Sequence, residues 1–115
     1  MNKKQMIEKL KLGRALIADR DHWTQGAYAR SSSDGEGTFR GFHCNAKSFT
    51  AVCWCSVGAL KKVTAFEVNE APLYKELLQT VMSNSTYESV EQFNDSSSHE
   101  TVLAMWDATI ERLEA

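Results

Sequence analysis

The sequence predicts a mainly α fold: a single compact domain of four to five helices with a long Gly/Ser-rich loop that leaves room for a short β-hairpin. Three observations carry this. Apolar residues recur at helical spacing in several separate segments. Residues that start helices precede several of those segments. Four of the six glycines, Gly26, Gly35, Gly37 and Gly41, fall between Thr24 and Ser48. A chain of 115 residues, 43% hydrophobic and 24% charged, fits one domain over 1–115 and buries a core without metal or disulfide support.

From Lys3 to about Ala18, Met6, Leu10, Gly13 and Ile17 share a helical face, with Leu12 and Leu16 nearly opposite. A helix that is apolar on both sides is either sandwiched in the core or covered by a second molecule, so a homodimer is one expectation. Thr24 to Ser48 is loop, with Tyr28, Phe39 and Phe42 as anchors, and its 31–41 portion is expected to be the most mobile internal segment. Phe49 to Cys55 can begin extended. Cys55 to Phe66 then fits a helix with Val57, Leu60 and Val63 inward and Lys61 and Lys62 outward. Gly58 inside it costs up to about 1 kcal/mol relative to alanine unless a closely packed neighbour uses the missing side chain.

The next helix is expected to start with Asn69 as N-cap, to accept Pro72 in its first turn and to end near Ser83, with Leu73, Leu77 and Val81 inward. The capping-box pattern Ser85-Thr-Tyr-Glu88 predicts a short helix through Gln92, with Val90 and Phe93 on its apolar side. Asn94-Asp95 reads as a turn. Ser97-Ser-His-Glu100 then opens a last helix with Val102, Leu103, Trp106, Ile110 and Leu113 as its apolar stripe.

A formal charge of −2 offers no general attraction for phosphate backbones, so nucleic acid is a poor default partner. Arg40 between Phe39 and Phe42, near Arg30, Lys47 and Tyr28, has the residue types of a single-strand surface, but Asp34 and Glu36 dilute it. Gly35-Glu-Gly37 lacks the lysine and the glycine spacing of a phosphate loop. The absence of an eighteen-residue apolar run argues against a membrane span. Three cysteines, an odd count, favour a reducing compartment, and the expected location is the cytoplasm. His22, His43, Cys44, Cys53, Cys55 and His99 supply zinc-ligand types without the paired clusters zinc needs, so neither metal nor cofactor is expected.

Taken in order, Trp23-Thr-Gln-Gly-Ala-Tyr-Ala-Arg30, Val52-Cys-Trp-Cys-Ser-Val-Gly-Ala-Leu60, Phe93-Asn-Asp95, Thr101-Val-Leu103 and Asp107-Ala-Thr-Ile110 form a set. It resembles a family of small uncharacterised bacterial and phage proteins, the domain of unknown function numbered 6197. The resemblance runs from about Trp23 to Ile110, apart from the loop between Arg30 and Ser48. It implies a small, mainly helical cytosolic domain, of phage or other mobile-element origin, and brings no activity with it.

One chemical reading makes Cys55 a nucleophile. In the first turn of a helix its thiolate would be favoured by unpaired amides and the helix dipole. His99 would act as base, oriented by Asp95 or Asn94. The alternative is that Cys55 and Cys53 are small core residues, Asp95 and Ser97 are caps, and His99 is solvated. Trp23, Trp54 and Trp106 belong in or beside the core, where each indole nitrogen needs a partner that Gln25, Asn94 or Asp95 could supply. A pocket lined by Cys55 and bordered by the Asn94-Asp95 turn and the Trp23–Arg30 stretch would place Trp23, Gln25, Tyr28, Arg30, Asn94 and Asp95 as binding residues. The functional expectation is a non-catalytic interaction or small-ligand-binding module, such as an accessory protein of a mobile element that engages a host protein. A cysteine-dependent hydrolase or transferase is the alternative.

Overall fold

The structure is a computed structural model that describes residues 1–32, 42–65 and 69–115. The expected mobile segment therefore lies, beyond Ser31 and Ser32, outside the described residues, as do Phe39 and Arg40. Among the described residues the elements are five α-helices and a two-stranded sheet: α1 (Lys3–Leu16), β1 (Ala29–Arg30), β2 (Cys53–Trp54), α2 (Ser56–Thr64), α3 (Ala71–Asn84), α4 (Val90–Ser96) and α5 (His99–Glu114). A single 3₁₀ turn, Arg20–His22, links α1 to the segment that leads into β1.

Helix α1 starts at a reciprocal capping box, with Asn2 Oδ1 accepting from Gln5 N at 2.8 Å and Gln5 Oε1 accepting from Asn2 N at 2.9 Å. Leu10, Gly13 and Ile17 face inward, and α1 packs against α2 and α5. The crossing with α5 is set by Gly13: a Cβ there would lie 2.8 Å from two ring atoms of Trp106, so the indole occupies the space a side chain would take. Leu16 packs against the core edge while Leu12 is exposed. The two-sided pattern thus reflects a helix wedged between two others, with a single leucine left in solvent.

Strands β1 and β2 are antiparallel, pairing Ala29 with Trp54 and Arg30 with Cys53. On the other side of β1, Arg30 bridges to His43 and Cys44 N donates to Ala29 O. This small sheet delivers the chain into α2, and from Cys53 to Leu60 every residue is buried. At Gly58 a Cβ would sit 1.8 Å from the carbonyl oxygen of Tyr28, so glycine is required where β1 runs against α2. The expected cost of a mid-helix glycine is offset by this close approach.

Four helix starts differ from expectation. Cys55 is the N-cap of α2 rather than a first-turn residue. Helix α3 is capped at Glu70, and Asn69 acts from one position earlier, its Oδ1 accepting from Ala71 N at 2.9 Å. The Ser85–Glu88 box does not form, because Ser85 Oγ donates back to Val81 O at 2.7 Å and closes α3. Ser89 caps α4 instead, accepting from Gln92 N at 3.0 Å, and Asn94-Asp95 lies in the last turns of that helix rather than in a turn. Ser98, not Ser97, caps α5. The buried face of α5 comprises Val102, Met105, Trp106, Thr109, Ile110 and Leu113. Thr109 Oγ1 meets Thr80 Oγ1 at 2.7 Å and ties α5 to α3. No described helix is long and apolar enough to cross a membrane.

Candidate functional site

At the centre of the fold sits Asn94, with no solvent exposure at all. Its Oδ1 accepts from Trp23 Nε1, from Ser56 N and from Ser56 Oγ, each at 3.0 Å. Three converging donors identify that atom as the carbonyl oxygen, which leaves Nδ2 to donate to Thr24 O at 3.0 Å and Asp95 Oδ1 at 3.1 Å. Having given its hydrogen to Asn94, the Ser56 hydroxyl accepts from Trp106 Nε1 at 3.1 Å. Gln25 Nε2 donates to the carbonyls of Asn94 and Ser97, and Asp95 Oδ1 accepts from Gly26 N. Arg30, also buried, donates from Nε to Thr24 Oγ1 at 2.9 Å and from Nη2 to Gln25 O at 2.8 Å. Each such bond contributes about 1 kcal/mol net, but leaving a buried donor unmet costs about 1–3 kcal/mol, so the network tolerates little change.

The expected binding residues divide between this network and a cleft. Trp23, Arg30 and Asn94 are buried and committed to one another, and Gln25 is drawn into the same network. Of the six residues, Tyr28 and Asp95 line a cleft of about 300 Å³. Its other walls are Gly26, Ala27, His43 and Glu91, with Cys55 also lining it. Tyr28 is 47% exposed, and Lys61 Nζ lies 5.2 Å from its ring centroid while pairing with Glu70 at 2.8 Å.

The Cys55 thiol is not activated. Its Sγ accepts from Gly58 N at 3.3 Å, as an N-cap oxygen would, and that bond favours the thiolate. Burial outweighs it and pushes the thiol up to about 12, with the charges of Asp95 and Glu91 acting in the same sense. The expected effect of the helix terminus is present but loses to desolvation. His99 is engaged elsewhere: Nε2 donates to Ile17 O at 2.7 Å, and its ring lies 5.2 Å from Trp23. The two residues share no hydrogen bond, so the geometry does not assemble the Cys55–His99 pair. Cys53, whose Sγ faces the carbonyls of Arg30 and Ser32, is likewise held in the protonated form chiefly by burial. Among the described residues no group of His, Cys, Asp and Glu is placed to hold a metal ion.

Glu91 is a cleft residue that sequence reading passed over, and His43 one that it weighed only as a zinc-ligand type. Glu91 and Asp95 stand four apart on α4, the spacing that puts two side chains on one helix face, and that spacing was available in the sequence. Like charges so placed repel by a few tenths of a kcal/mol. Glu91 Oε1 accepts from Tyr74 OH at 2.7 Å; burial first, and this bond second, raise the phenol above its ordinary value. Among the described residues neither Glu91 nor Asp95 belongs to an ion pair, whereas Glu70, Glu76, Asp107 and Glu114 all do.

A family model described as a family of unknown function (DUF6197) matches residues 1–112. The chain belongs to this family. The match takes in α1, which lies ahead of the shared motifs, and continues into the last turn of α5. Membership in DUF6197 fixes no activity, and no curated protein or solved structure is similar enough to the chain to lend one.

Proposed function

We propose that the chain is a non-catalytic module that binds a small ligand in the cleft formed by Tyr28, Cys55, Glu91 and Asp95. One observation carries this reading: the cleft is walled by the Gly26–Tyr28 stretch and by α4, and both walls are held from behind by the Asn94 network. Walls fixed in that way lose little freedom on binding, which favours affinity from a modest contact area. The raised Cys55 thiol and the engagement of His99 weigh against a hydrolase or transferase. Three free cysteines suit a reducing cytoplasm.

Amide chemical-shift mapping with a fragment library tests the reading. Shifts are expected at Gly26, Tyr28, Glu91 and Asp95, and Tyr28→Ala is expected to remove them without changing the melting temperature by more than a few degrees. A library whose hits all map elsewhere would refute it. A protein partner is the second reading, favoured by Phe49, which is 96% exposed, and by exposed Val52 close to it in sequence. Phe49→Ser would then abolish pull-down of that partner and leave cleft shifts untouched.

A further inference from the structure

We draw no further inference here: the strongest candidate, the surface patch of exposed Phe42, Phe49 and Val52 on the chain segments that flank β1, carries nothing because nothing in the structure shows what covers it.

Discussion

Gly58→Ala is the substitution for which local and tertiary physics predict opposite signs. In an isolated helix the alanine would stabilise by up to about 1 kcal/mol. Here the added Cβ would lie 1.8 Å from Tyr28 O and 2.7 Å from its carbonyl carbon, where ordinary contact begins at 3.4 Å, so β1 and α2 must separate by about 1.6 Å. Tyr28 O accepts from Cys55 N at 3.2 Å, and the next residue pairs with Trp54, so the displacement strains the strand ladder as well. Overpacking costs about 1–3 kcal/mol and a weakened backbone bond about 1 kcal/mol, against the gain in helix propensity. The net is a loss of about 2 kcal/mol, which for a domain of this size lowers the melting temperature by about 8 °C. Urea unfolding followed by far-ultraviolet circular dichroism and by tryptophan fluorescence measures it. A variant as stable as the parent, or more so, would refute the close approach of β1 to α2.

Asn94→Ala should cost about 3–5 kcal/mol in the same assay, since it strands the Trp23 indole N–H and the Ser56 amide together; a loss below 1 kcal/mol would contradict the network. Trp106→Ala removes the ring that fills the notch at Gly13 and should cost about 3–5 kcal/mol, with collapse of near-ultraviolet dichroism as the readout. Because burial raises Cys55 from 9.0 to about 12, the unfolded chain releases this proton first as pH rises. The stabilising contribution is complete below about pH 9 and is lost toward pH 12, falling by about 1.4 kcal/mol per unit between them. Cys55→Ser should flatten that decline relative to the parent, and at pH 8 a thiol reagent should label Cys55 only after denaturant is added; rapid labelling of the folded protein would overturn the assignment.

Helix content was legible because Leu73, Leu77 and Val81, like Trp106, Ile110 and Leu113, repeat at a period that only a helix buries on one side. Cap positions were less so. Ser85, Ser89, Ser97 and Ser98 carry the same hydroxyl, and which one caps depends on tertiary ties such as Gln25 to Ser97 O, which no local pattern encodes. The motif residues Trp23, Arg30 and Asn94 were conspicuous for their polarity, and polarity alone does not separate a surface that recognises a ligand from a buried network that satisfies itself. What separates them is burial, and burial is set by the rest of the chain.

The Asn94 node also bears on the order in which the chain folds. Its bonds reach across 71 residues to Trp23, 70 to Thr24 and 38 to Ser56, and the Ser56–Trp106 bond spans 50 more. Closing loops of that length costs entropy before any bond is gained, whereas the turns of α3 and α5 close locally. The node is therefore expected to form late, and Asn94→Ala to speed unfolding while leaving the folding rate nearly unchanged; a φ value of about 1 at Asn94 would refute this. On that expectation the buried asparagine of so small a domain would work as a latch that sets how long the native state persists once it has been reached.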